Sequence, residues 1–319
     1  LCWSMIPQIA CNVLRTFIAA LGRPVFATAI TALAIVVNAI GNYAFVFGHF
    51  GAPALGLQGS ALSTILVALV TLATYCAAIR ADRRLRRYRI FGRWWRSEWS
   101  RMRDIVRLGA PIALIVIAEG GFFGSAAFLM GLIGPAQLAA HAVALQVAAF
   151  FFQIPMGIGQ AATIRVGYYF GAGNGEACGR AGWAGVVTCL GFQLFGAAVM
   201  LLVPRAVLSV YIDTSAPANA AMVDFAVQYL LVASAFQLFD GLQAVAAGAL
   251  RGLQDTRMPM VLALFGYWLP GFGTAVLLGF YTPLSGLGVW IGLAIGLVVV
   301  AGLLLLRWGR RERLGLMPT

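Results

Sequence analysis

The chain has 319 residues, of which 61% are hydrophobic and only 10% charged, with a mean hydropathy of +0.90. An ordinary water-soluble domain carries about 25% charge, so lipid must be the solvent over most of this surface, which excludes a soluble enzyme or binding module. The formal net charge of +12 comes from 22 arginines, with no lysine, against 10 acids, and the placement of those arginines speaks against nucleic-acid binding.

A helix of roughly 20 apolar residues crosses a bilayer, and the sequence predicts about nine of them, at roughly 1–20, 25–48, 57–79, 108–133, 138–164, 182–204, 224–249, 259–280 and 287–306. The fold class is therefore an all-α, polytopic membrane helical bundle. The first segment is short and opens at Leu1 inside an apolar stretch with no signal peptide, which points to an N-terminus lying upstream. Most links are short, so successive helices run antiparallel. The exception is 80–107, which carries Arg80, Arg83, Arg84, Arg86, Arg87, Arg89, Arg93, Arg96, Arg101, Arg103 and Arg107 interleaved with Trp94, Trp95 and Trp99. Such a segment suits the anionic inner leaflet.

If that loop is cytoplasmic, alternation puts Arg15, Arg23, Arg165, Arg180, Arg251, Arg257 and the tail Arg307, Arg310, Arg311 and Arg313 on the same side. Only Arg205 falls outside, so 21 of 22 arginines share one face. This is the positive-inside pattern, and a missed or extra span would scatter it. The expected organisation is 1–79 as the last three helices of a first bundle, 80–107 as a basic cytoplasmic linker, and 108–319 as a six-helix bundle with a basic cytoplasmic tail. The expected setting is a monomer in the bacterial inner membrane, in contact with membrane lipids and not with nucleic acid.

A weak internal repeat supports the two-bundle reading. Ala249-Leu-Arg-Gly252 followed by Arg257 and Pro259 parallels Val13-Leu-Arg-Thr16 followed by Arg23 and Pro24; Leu287-Gly288 and Gly292 parallel Leu55-Gly56 and Gly59. Transporter folds are commonly built from such repeats, and the offset predicts three further helices ahead of Leu1.

Eight acids (Asp82, Glu98, Asp104, Glu176, Asp213, Asp224, Asp255 and Glu312) fall in loops or at span ends. Glu119 and Asp240 do not. Glu119 lies 12 residues from Arg107 at the inner end of its span, and Asp240 lies 11 residues from Arg251. At about 1.5 Å rise per residue both sit roughly 16–18 Å deep, near the midplane of a core about 30 Å thick. Ionised acids are expensive there and mark ion or substrate pathways. A depth-matched pair can take up H⁺, or hold Na⁺ with help from carbonyl and hydroxyl oxygens; the alternative is a neutral pair that only ties helices together.

Gln146, Gln153, Gln160, Gln237 and Gln243 fit hydrogen bonding between helices, with Gln146, Gln153 and Gln237 also candidates to line a cavity. Phe122, Phe123, Phe150, Phe151, Phe236 and Phe239 either meet an apolar cationic ligand or pack. His141 is a structural histidine or a cavity residue, and Arg165 an interfacial anchor. Pro7, Pro111, Pro155 and Pro270 interrupt helix ladders and are candidate hinges. The scattered Cys2, Cys11, Cys76, Cys178 and Cys189 match no metal or disulfide spacing. There is no phosphate-binding glycine loop for ATP, no hydrolase or zinc motif and no ladder of arginines along a helix.

The run Arg107-Leu-Gly-Ala-Pro111, Glu119, Ala140-His141, Pro155-Met-Gly-Ile-Gly-Gln-Ala-Ala162, Arg165-Val-Gly167 and Gly171-Ala-Gly-Asn174 resembles the start of the C-terminal lobe of MATE (multidrug and toxic compound extrusion) transporters. Phe236-Gln-Leu-Phe-Asp240, Ala247-Gly-Ala-Leu-Arg-Gly252 and Asp255-Thr-Arg257 are similar too, and Glu119 and Asp240 match the C-lobe cation-site acids of the NorM branch. The resemblance implies a 12-helix, two-lobe antiporter without the first three helices and their acid. It would exchange Na⁺ or H⁺ for organic cations and drugs by alternating access, with no cofactor. A flippase for lipid-linked saccharides, or an inactive truncated product, is the alternative. With the native cysteines replaced, Arg93→Cys and Arg310→Cys variants are expected to react with an impermeant thiol reagent only in inside-out vesicles, and Arg205→Cys only in right-side-out ones; the reverse pattern would overturn the topology.

Overall fold

A computed structural model describes residues 2–51, 53–88, 90–92 and 98–317. All nine expected segments are helical: α1 (Cys2–Ala20), α2 (Pro24–Phe47), α3 (Leu57–Ala81), α4 (Trp99–Ile133), α5 (Pro135–Gly171), α6 (Gly175–Leu202), α7 (Ala220–Gly252), α8 (Arg257–Phe280) and α9 (Ser285–Gly309). Eight of them, α2 to α9, are long and apolar enough to cross a membrane. The more polar α1 carries Gln8, Asn12, Arg15 and Thr16 among its apolar residues.

The helices overrun the apolar segments that mark them. α5 has 37 residues, about 55 Å at 1.5 Å per residue, against a hydrocarbon core of about 30 Å. The expected 80–107 loop is corrected most. α3 continues through Arg80 to Ala81, Arg83–Arg86 forms one further turn, and α4 begins at Trp99. Arginine is a good helix former, so a helix leaves the apolar layer without changing conformation. Arg89, Arg93, Trp94, Trp95 and Arg96 lie outside the described residues.

Local signals set the ends. Pro24 and Pro135 stand at the first helical positions of α2 and α5, where a missing N–H costs nothing. Gly48 at φ 77° closes α2, a left-handed conformation that suits glycine. The Asn174 side chain accepts the Ala177 N–H at 2.9 Å and caps α6. Ahead of α7, the Ser215 N–H and O–H both donate to Asp213 and hold its carboxyl below the usual range.

The chain forms two compact units, Leu1–Glu98 and Trp99–Thr319. In the first, Leu14, Ile18, Ile30, Tyr75, Ile79 and Leu85 make the core. Gly59 lets α3 approach α2 so closely that a Cβ there would overlap the Phe45 carbonyl. Arg23 and Asp82 pair at 3.0 Å.

In the second unit α7 is central and packs against α5, α6 and α9. Lipid is as apolar as leucine, so helices in a membrane associate through close packing of small residues and a few hydrogen bonds. The α5–α7 seam follows this rule. A Cβ on Gly248 would overlap the Gly159 carbonyl, and one on Gly252 would sit 2.9 Å from the Thr163 carbonyl. The Thr163 hydroxyl donates across the seam to Gly248 O at 2.8 Å. Gln193 and Gln237 tie α6 to α7 reciprocally: Gln193 Nε2 donates to Gln237 O at 2.5 Å, and Gln237 Nε2 to Gln193 O at 3.3 Å. Outward-facing residues such as Val187, Leu202 and Leu269 stay exposed, as a lipid-facing surface requires.

Gly248→Val is expected to cost about 1–3 kcal/mol through overpacking, read as a lower thermal midpoint of the detergent-solubilised protein. Gly157→Val, where nothing stands within 4 Å of the new Cβ, should leave the midpoint unchanged.

Candidate functional site

The two mid-span acids converge on one amide. Asp240 and Gln243 stand three residues apart on α7 and so share a face. Gln243 Nε2 donates to Glu119 Oε1 on α4 at 2.9 Å and to Asp240 Oδ1 at 3.3 Å. The Tyr267 hydroxyl on α8 donates to Gln243 Oε1 at 2.6 Å. The amide is thus used in full, both donors toward carboxyls and its acceptor toward a phenol. Asp240, Gln243 and Tyr267 are buried, while Glu119 is half-buried. Three helices therefore meet in a polar network within an apolar bundle.

Packing positions the phenol. Phe122, one turn beyond Glu119, stacks on Tyr267 with ring centroids 5.3 Å apart. Its ring fits a slot made by two glycines: a Cβ on Gly271 or on Gly296 would stand 2.8 Å from Phe122 Cζ. α8 departs from α-helical geometry here. It is π-helical over Tyr267–Phe272, a segment that contains Pro270, which has no N–H to give the ladder. The Thr274 hydroxyl donates back to the carbonyls of Pro270 and Gly271 on the preceding turn. Arg251 follows two turns beyond Gln243 on α7.

The other expected site residues divide. Phe236 is buried edge-on to Trp290 at 5.5 Å, a packing role. Gln237 is spent on the tie to Gln193. His141 is buried against Trp290 at 5.5 Å, away from the acid network. Gln146 and Gln153 are exposed on α5 and are not brought to the acids by any hydrogen bond. α4 and α5 continue as α-helix through Pro111 and Pro155; Pro270 alone of these three coincides with a change of helix type.

Tyr267 is absent from the expected set. It lies 10 residues from Arg257 at the inner end of its span, about 15 Å deep, so the depth calculation applied to hydroxyls as well as carboxyls finds it. Among the described residues no cluster of three or more His, Cys, Asp and Glu side chains stands ready for a metal. A monovalent cation here would rest on two carboxylates plus the amide, phenol and carbonyl oxygens.

Removing the shared amide leaves two carboxyls and a hydroxyl without their partner. Gln243→Leu is expected to destabilise the solubilised protein by about 1–3 kcal/mol, and Tyr267→Phe by about 1 kcal/mol, measured as thermal midpoints. Equal midpoints for all three proteins would mean that the network contributes no stability.

The family model MatE matches residues 111–277. The chain is 48% identical over 312 residues to the probable multidrug resistance protein NorM of Mesorhizobium japonicum, covering 98% of this chain and 67% of that protein. It is 41% identical over 308 residues to the protein of the same name in Brucella suis, covering 97% and 65%. The chain thus spans about two thirds of the length of these relatives. A crystal structure of a MATE in the bent conformation superposes with a TM-score of 0.83 at 19% identity, over 98% of this chain and 67% of that one; at that identity the likeness speaks to the fold alone.

Proposed function

The chain belongs to the MATE family of transporters and is a multi-pass bacterial membrane protein, and from that premise we propose that it exports organic cations and drugs in exchange for Na⁺ or H⁺. The family is one of transporters, not enzymes. The observation that carries the reading is the Gln243 bridge, which holds Glu119 and Asp240 in one network at mid-span.

The chemistry is competition for charge. Two carboxyls in a poorly solvated site favour a bound cation, and they do not distinguish in sign between a proton, Na⁺ and an organic cation. Occupancy by the coupling ion entering from outside removes the attraction for the drug, which leaves. Return to the inward-facing state lets the ion go and re-exposes the charge. Gln243 and Tyr267 position the carboxyls, and the π-helical turn at Pro270 is the hinge closest to them. The sidedness is that of the arginines, with the basic 80–107 segment and the C-terminus in the cytoplasm. A flippase for lipid-linked saccharides fits less well, since a pyrophosphate would meet two carboxyls.

Glu119→Gln and Asp240→Asn, each in the full-length protein, are expected to abolish drug resistance and dye efflux while membrane abundance stays at the parental level. Unchanged resistance in both would overturn the proposal. In vesicles, a Na⁺ pulse and an acid pulse applied separately will show which ion drives dye release.

A further inference from the structure

Between α5 and α6 lies a cavity of about 520 Å³, well away from the acid network in sequence. Its walls follow one face of each helix: Ile158, Ala162 and Arg165 on α5, and Ala177, Ala181 and Gly185 on α6, at spacings of three and four residues. The small side chains make the space; a Cβ on Gly185 would meet the Ala162 Cβ at 3.4 Å and Ile158 Cγ2 at 3.8 Å. The charged groups gather at one end, with the Thr188 hydroxyl two turns away from Arg180. Arg165 and Tyr169 stand on α5 and Arg180 on α6, toward the α5–α6 connection, which is on the arginine-rich side of the bundle.

The two guanidiniums are differently engaged. Arg165 is exposed and makes no hydrogen bond or ion pair among the described residues. Arg180 pairs with Glu176 at 3.2 Å, with both side chains mostly exposed at 72% and 81%. Such a surface pair contributes little, so an incoming anion can compete for Arg180 at small cost. From Arg165 to Ile158 is 7 residues, about 10 Å of apolar wall running from the charged end toward the membrane interior.

An apolar groove with free cationic charge at its interfacial mouth is complementary to an anion that carries a hydrocarbon chain. The geometry points to a binding site for an anionic phospholipid of the inner leaflet, its phosphate between Arg165 and Arg180 and its acyl chain along Ile158, Ala162 and Ala184. Basic pockets between membrane helices on the cytoplasmic side recognise anionic headgroups in this way. A dissolved anion would use the arginines and leave the apolar wall empty, and a zwitterionic lipid would use the wall and gain little from the charge.

The test is native mass spectrometry of the full-length protein in detergent, titrated with phosphatidylglycerol, phosphatidylcholine or inorganic phosphate. Phosphatidylglycerol is expected to bind about thirtyfold more tightly than phosphatidylcholine, two arginines contributing about 1 kcal/mol each. The Arg165→Gln/Arg180→Gln pair should erase that preference while leaving residual lipid binding. Ala184→Phe, which fills the groove without altering charge, should weaken both lipids. Equal affinity for the two lipids, a preference that survives the arginine substitutions, or inorganic phosphate displacing phosphatidylglycerol at matched ionic strength would each overturn the proposal. Thermal midpoints of the variants without added lipid identify any that fail to fold, and Arg165→Lys/Arg180→Lys, which keeps both charges, should then retain the preference.

Discussion

Gln243 has one amide, and three polar groups from three helices depend on it. In water each of those groups would find solvent. Inside a bilayer a carboxyl with no partner costs several kcal/mol, so Glu119 and Asp240 persist only where the fold supplies donors. The Gln243 amide does so at 2.9 and 3.3 Å, and takes a hydrogen bond from Tyr267 in return. Because the donors come from one planar group, α4, α7 and α8 are held in register at that depth. The same arrangement fits the cation role proposed for the site: the amide donates to both carboxyls without adding a positive charge of its own.

The rest of the second unit is built to let that register exist. α7 carries the acids and must lie within reach of several neighbours at once, so its interfaces are made of small residues. Gly248 and Gly252 admit α5, Gly241 admits Gln193 and Cys189, and the Gly271–Gly296 slot admits the Phe122 ring. Each close approach exchanges side-chain volume for backbone contact, the form of packing that works where lipid competes equally for apolar surface. The π-helical turn in α8 belongs to the same design, since it places Tyr267 against Phe122 and next to Gln243 at the point where Pro270 weakens the ladder.

The described arginines perform more than one task. Arg307 is drawn inward to Asp255 at 2.6 Å, both side chains largely buried. Arg311 lies over the Trp308 ring at 4.8 Å. Arg23 pairs with Asp82. These fasten helix ends within each unit. Arg165 and Arg180 stay exposed at the surface, Arg180 in an exposed pair with Glu176, and the proposed lipid site draws on both. Arg205 makes only a long, exposed contact of 3.9 Å with Asp224.

What the sequence by itself determined is what the solvent imposes. A bilayer demands long apolar runs, and the nine expected segments follow from them; alternation along those segments predicts 21 of 22 arginines on one side. Depth is linear along a straight helix, so Glu119 and Asp240 were legible as a matched pair from their distances to Arg107 and Arg251 alone. Helix ends were less legible, because the hydropathy signal stops at the hydrocarbon boundary while the hydrogen-bond ladder does not, and the described residues at both ends of 80–107 are helical beyond their apolar neighbours. Azimuth was not legible at all. Which side of α5 faces the core decides that Gln146 and Gln153 point out while His141 is buried, and that rotation is set by the glycine seam with α7. Only the tertiary structure decided that Gln243 joins the acids while Gln237 joins Gln193, since the glutamines are alike in chemistry and differ only in which neighbour the packing brings within about 3 Å.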